Sequence, residues 1–135
     1  MMPRRWLLSK QSRMSSSAII LTDDVRRGEI YTAATGSGLG GKPRPVVVVQ
    51  ADEYVPSAHI VVALIGSPVE NAPSLRVPVS ATPENGLDRD SLVEVDILVT
   101  VKHHQFGPRC GVLEADVMEM IDRALLTLLG FNSRR

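Results

Sequence analysis

Arg44 stands between Pro43 and Pro45, directly after the run Gly36-Ser37-Gly38-Leu39-Gly40-Gly41-Lys42. Glycines let a backbone take positive φ and leave no side chain in the way of a ligand. The two prolines restrict φ and remove two N–H donors, so the arginine between them is held extended where a loop meets a strand. A guanidinium fixed in this way suits a phosphate, whose oxygens its planar fork can take in pairs. Ser67 ends an apolar run and lies near Arg44 if that run pairs with the one after Pro45. His103 and His104 could act as general acid or base, but neighbours on a strand point to opposite faces, and we read them as a solvated pair. Cys110 is the single cysteine, so it forms no internal disulfide, and no motif makes it a nucleophile; we read it as structural. No carboxylate or cysteine stands at metal-ligand spacing, and we expect no metal and no cofactor.

The elements that must position these residues are strands. Val46-Val47-Val48-Val49 is apolar at every position, which predicts a strand covered on both faces at the middle of the fold. Ahead of it, Ile30 and Thr32 alternate with Glu29 and Tyr31 as in a half-buried strand, and the glycine loop joins the two. His59 to Ile65 is a second fully apolar run and the natural partner of the valines. Leu75, Val77 and Val79 alternate with polar positions, and Pro78 makes that strand an edge or a bulge. Asn85-Gly86 marks a turn in a polar loop. Ser91 to Lys102 reads as one long or bent strand in which Asp96, amid apolar neighbours, must find donors or stay at the surface. Gly107-Pro108 breaks the chain, Gly111 to Leu113 is short and extended, and Glu114 to Leu129 is the one helix. Its stripe of Val117, Ile121, Ala124, Leu125 and Leu128 is widened by Met118, Met120, Leu126 and Leu129 beyond what one core face needs, and Gly130 suits its end.

A chain of 135 residues, 44% hydrophobic, suits one domain with a real core. Strands followed by a single helix favour a small antiparallel barrel over a parallel α/β sheet. The formal net charge is zero, but Arg4, Arg5, Lys10 and Arg13 face no acid before Asp23. That leaves 11 basic against 15 acidic residues from Asp23 onward, a net −4, so any grip on nucleic acid rests on a local basic groove. Residues 1–17 read as a disordered leader and 18–135 as the domain, with a short edge segment over Ala18 to Leu21. No apolar run approaches the roughly 20 residues of a membrane span, and a soluble, cytoplasmic protein is expected.

Arg27-Gly28-Glu29-Ile30-Tyr31, the glycine loop and Arg44-Pro45-Val46-Val47-Val48-Val49-Gln50 together resemble the MazF/PemK-like family of bacterial toxins. Ala63-Leu64-Ile65-Gly66-Ser67, Asp90-Ser91-Leu92-Val93, Val95-Asp96 with Thr100-Val101, and Gly111-Val112-Leu113 with the helix after it continue the likeness in order, over roughly Arg26 to Phe131. The resemblance implies an SH3-like barrel of the CcdB/PemK type with a C-terminal helix, a homodimer, a cognate antitoxin, and metal-independent cleavage of single-stranded RNA that inhibits translation. In such cleavage the substrate's own 2′-hydroxyl attacks the adjacent phosphate, and the enzyme positions it, moves protons and stabilises the charge at phosphorus. Arg44 then stabilises that charge and Ser67 assists, as the two catalytic residues. Candidate RNA contacts are Gly38, Gly40 and Gly41 of the loop, Lys42, Arg76 and Lys102.

The chain departs from the family pattern in places that touch chemistry. Residues 36–43 hold no acid, where the family often has a glutamate; its threonine falls on Gly66, its glutamine on Ile97 and its arginine on Val99. Two alternatives follow: a CcdB-like gyrase inhibitor that does no chemistry, or an inactive relative kept as an RNA- or peptide-binding module. The ending Gly130-Phe131-Asn132-Ser133-Arg134-Arg135 lacks the hydrophobic close expected of the first. Aromatic residues are only 4%, so base recognition would rest on hydrogen bonds more than on stacking.

Overall fold

The computed structural model describes residues 24–34, 42–55, 57–70 and 72–132. The leader over 1–17, the edge segment over 18–21 and the glycine loop with Gly38, Gly40 and Gly41 lie outside the described residues. Alternation along β2 (Arg44–Val48) sets the architecture. Val46 and Val48 join one buried cluster, with Tyr31, Val62, Leu64 and Phe106, while Val47 and Val49 join a second, with Ile30, Ala63, Val93 and Ile121. None of the four valines is more than 8% exposed. An element buried on both faces is what the unbroken run of valines predicts.

Around β2 the chain forms β1 (Glu29–Ala33), β3 (His59–Gly66), β4 (Arg76–Val79), β5 (Ser91–Lys102) and β6 (Phe106–Val112), followed by α1 (Ala115–Leu128). The strands make one antiparallel sheet in the order β4-β5-β3-β2-β1-β6. It wraps two cores in the manner of a barrel but stays open, with β4 and β6 as its edges. Pro78 sits on edge strand β4, as its missing donor requires. β5 is bent: Ala63 pairs with Leu98 but Leu64 pairs with Glu94, so Val95, Asp96 and Ile97 bulge out on the β5 side.

Two readings of the sequence are corrected here. β1 is buried on both faces, because the Glu29 carboxylate accepts from Arg109 Nε at 2.8 Å, Tyr31 Oη at 2.8 Å and the Arg26 N–H at 2.7 Å. A paired, triply hydrogen-bonded carboxylate can go inside where an isolated one cannot. Gly107-Pro108 does not break the chain but lies within β6, an edge strand that shifts register twice against β1. A Cβ at Gly107 would meet Thr32 Oγ1 at 2.5 Å, so only glycine allows the two strands to approach there.

The connection from β4 to β5 is fastened by Asn85, which is fully buried. Its amide nitrogen donates to the Ser80 carbonyl at 2.8 Å and to Glu114 Oε1 at 3.3 Å, and its oxygen accepts from the N–H groups of Thr82 at 3.0 Å and Leu87 at 3.1 Å. Its two donors and both acceptor sites are thus filled. Thr82 Oγ1 donates to Glu114 Oε2 at 2.6 Å, tying the loop to the residue that precedes α1. At the other end of α1, Gly130 takes a φ of +85°, and the N–H groups of Gly130 and Phe131 return to the carbonyls of Thr127 and Leu126, which closes the helix as a glycine there predicts. No helix among the described residues is long and apolar enough to cross a membrane.

Two outcomes follow from the loop fastening. Asn85→Ala should destabilise the fold by about 3 kcal/mol in urea unfolding, because it orphans several buried groups together. The hydrogen bond from Thr82 holds the Glu114 carboxyl below its ordinary value. The unfolded chain therefore takes up this proton first as pH falls. The stabilisation is complete above the ordinary carboxylate range, about pH 4 to 5, and is lost as pH drops through the lower folded value. Glu114→Gln should accordingly reduce the difference in urea midpoint between pH 7 and pH 3.

Candidate active site

The register of β2 against β3 builds two walls of a cleft. Val48 pairs with Val62 and Val46 with Leu64, and the same register continued two residues sets Arg44 opposite Gly66. Ser67 follows Gly66 directly, so the arginine and the hydroxyl emerge at one end of the strand pair. The third wall is the loop fastened by Asn85, which contributes Leu87, Asp88 and Arg89, and then Ser91 at the start of β5. Together these residues line an open cleft of about 280 Å³. Asp90 Oδ1 accepts the Ala81 N–H at 2.9 Å and Ser91 Oγ donates to the Arg89 carbonyl at 2.9 Å, so the backbone on both sides of this wall is braced.

Arg44 is exposed, and among the described residues no ion pair engages it or Arg89. The carboxylates that could have neutralised Arg44 belong to Arg76. Arg76 Nε and Nη2 donate to the two oxygens of Asp96 at 3.1 and 3.2 Å, and Nη1 donates to Glu94 Oε2 at 3.2 Å. That fork supplies the donors Asp96 needs within the bulge and holds its carboxyl below the ordinary value. The Arg76 guanidinium is raised in turn, chiefly by the same hydrogen bond.

This trio also explains a departure noted in the sequence. A Cβ at Gly66 would lie 2.8 Å from Glu94 Oε2 and 3.1 Å from Glu94 Cδ. The space that a threonine side chain would need at this position is filled by the Arg76-bound carboxylate. The cleft is therefore left with Ser67 as the hydroxyl at the end of β3.

The other expected site residues separate. Lys42 is exposed two positions before Arg44. Arg76 is not in the cleft and reaches its floor only through Glu94. Lys102 pairs with His59 at the far end of β3, roughly 20 Å from Gly66 at about 3.3 Å per residue. His103 and His104 form a 3₁₀ turn beside Lys102, their rings edge to face at 6.2 Å, away from the cleft. Burial, and then the charge of Asp88, pushes the Cys110 thiol up, which keeps it protonated and fits a structural role. Asp88, Arg89 and Ser91 were not read from the sequence as site residues. The signal was the dense Asp88-Arg89-Asp90 triplet just before a strand, but nothing local tells that it folds back onto Arg44.

A profile of PemK-like, MazF-like toxins of type II toxin-antitoxin systems matches residues 26–129. The chain belongs to this family. Its similarity to curated members is substantial: it is 39% identical over 106 residues to a probable endoribonuclease MazF of Mycolicibacterium smegmatis, an alignment covering 78% of this chain and 97% of that one. Among solved structures, Mycobacterium tuberculosis toxin MazF-mt6 superposes with a TM-score of 0.63 at 25% identity, over 75% of this chain and 95% of that one. A mycobacterial endoribonuclease in complex with its cognate antitoxin gives 0.65 at 22% identity, over 82% and 99%, which is a likeness of fold. The MazF-like assignment thus spans both the open sheet and the helix.

The glycine at the floor of this MazF-like cleft yields a test. Gly66→Thr should displace Glu94 from Arg76 and lower stability by about 1 kcal/mol in urea unfolding. In an Glu94→Ala background most of that cost should vanish, so the double-mutant cycle should show strong coupling.

Proposed function

We propose that this MazF-like toxin is an endoribonuclease that cleaves single-stranded RNA through the RNA's own 2′-hydroxyl, needs no metal to do so, and inhibits translation and growth. The observation that supports this most is an arginine without a carboxylate partner among the described residues, sharing an open cleft with a serine hydroxyl. Arg44 takes the non-bridging oxygens of the scissile phosphate and stabilises the charge that builds on them as phosphorus becomes pentacoordinate. Ser67 donates a hydrogen bond to the same phosphate or orients the attacking hydroxyl. Lys42 and the loop glycines Gly38, Gly40 and Gly41 hold the strand on the Arg44 side. The products are a 2′,3′-cyclic phosphate and a free 5′-hydroxyl.

The same reading makes the protein a cytoplasmic homodimer held in check by a cognate antitoxin. Leu126, Leu129 and Phe131 are 44 to 72% exposed along α1 and just past its end, and Met120 is 47% exposed on another face of the helix. With Leu125 and the Arg27–Asp122 ion pair of 2.6 Å, Leu126, Leu129 and Phe131 border a shallow groove, an apolar area that a second subunit would cover.

Incubation with a long RNA in EDTA tests the function: discrete fragments ending in cyclic phosphate are expected, and intact RNA would refute it. Arg44→Ala should lower the single-turnover rate at saturating enzyme by about 100- to 1000-fold with folding intact, and Ser67→Ala by less. Arg44→Lys should restore only part of the rate, since an ammonium lacks the paired donors.

A further inference from the structure

The reaction proposed above needs a group to take the 2′-proton, and neither Arg44 nor Ser67 does this well. A guanidinium has no acceptor, and a serine hydroxyl is a poor base without one beside it. Of the described side chains lining the cleft, one is a Brønsted base: the carboxylate of Asp88. The histidines stand at the other end of β3, and Glu94 and Asp96 are taken by Arg76. The glycine loop over 35–41 contains no acid and no histidine to add one. Among the described residues, no hydrogen bond or ion pair occupies the Asp88 carboxylate, although Arg89 is its neighbour in the chain. Its backbone is steadied by Asn85, whose oxygen holds the Leu87 N–H, and by the Asp90 and Ser91 bonds on the other side. A carboxylate with no partner among the described residues, on a braced loop that lines the same cleft as Arg44 and Ser67, has the place and the vacancy that a general base requires.

We propose that Asp88 is the general base of the cleft. As the 2′-oxygen bonds to phosphorus, its proton passes to a carboxylate oxygen of Asp88. The P–O5′ bond breaks with its electron pair on the 5′-oxygen, which takes a proton from water, and Asp88 returns its own to solvent before the next turnover. The inference rests on the RNA-cleaving reading and assigns the one proton transfer that reading leaves without an acceptor.

The test compares Asp88→Asn with wild type in single turnover at saturating enzyme, on two oligoribonucleotides in EDTA. One is all oxygen; the other has sulfur in place of the bridging 5′-oxygen at the cleavage site, a leaving group that departs without a proton. Asp88→Asn should be slower by about 100-fold or more on both, Asp88→Glu should recover part of the loss, and affinity for a 2′-deoxy-substituted, uncleavable RNA should be unchanged or tighter. A loss through misplaced structure would weaken that affinity as well and would overturn the assignment. Recovery of Asp88→Asn on the sulfur substrate would make Asp88 an acid and overturn it too. If the wild type cleaves and Asp88→Asn matches it, the assignment fails while the ribonuclease reading stands; if the wild type leaves both RNAs intact, the ribonuclease reading itself falls.

Discussion

Burial of β2 on both faces is the constraint on which the remaining structure depends. Each of the two cores receives alternate valines of the same strand, so a slip of one residue would exchange every contact on both sides. The register against β3 is therefore tightly specified, and with it the place of Arg44 opposite Gly66. A strand interior that tolerates no slip is what allows a cation at its mouth to be aimed, since the prolines on either side of Arg44 leave few donors to anchor it locally. The rigidity of the hydrophobic middle becomes the geometry of the polar end.

Three polar side chains, buried or partly buried, repeat one solution: each is bonded to a group from another element. Glu29 joins β1 to β6 through Arg109, Arg76 joins β4 to the bulge of β5, and Asn85 joins the loop after β4 to the residue before α1. Such groups cost heavily when left half-paired, so they specify one arrangement of the elements more strictly than apolar contacts do. Two of these three bear on the cleft. Arg76 draws Glu94 and Asp96 to itself, which leaves Arg44 without a carboxylate partner among the described residues, and Asn85 holds the loop that carries Asp88 and Arg89. The bulge in β5 takes part in this, because the extra residues Val95 to Ile97 place Asp96 within the reach of Arg76.

Departures from a family pattern acquire a physical reading in this setting. Glycine at position 66 is matched by Glu94 in the space beside it, so the two positions form one unit rather than a lost catalytic group and an unrelated acid. The glycine-rich sequence before Arg44 holds no acid, and the cleft is lined instead by the Asp88 carboxylate, which has no partner among the described residues. The proposed RNA cleavage asks for a charge stabiliser and a proton acceptor in one space, and it does not prescribe which strand or loop delivers each.

Local pattern alone determined much of this protein. The unbroken valines announced a central strand, Pro78 an edge, Asn85-Gly86 a turn, and the spacing of Val117, Ile121, Ala124 and Leu128 a helix; each is a property of a few neighbouring residues, and periodicity or φ preference reads it directly. Arg44 and Ser67 were legible as a pair because both lie at the same end of two adjacent strands. What the pattern could not convey is pairing between residues far apart in the chain. Glu29 looked like a surface residue until Arg109, 80 positions later, neutralised it, and Gly107-Pro108 looked like a break until an edge position made proline harmless. Arg76 looked like an RNA contact until Asp96 and Glu94 claimed it, and Asp88 looked like loop polarity until the fold brought it to the cleft that Arg44 lines. Charge and hydrogen-bonding capacity are written in the sequence, but which partner satisfies them, and which group is left unsatisfied and free to act, is decided by three-dimensional proximity alone.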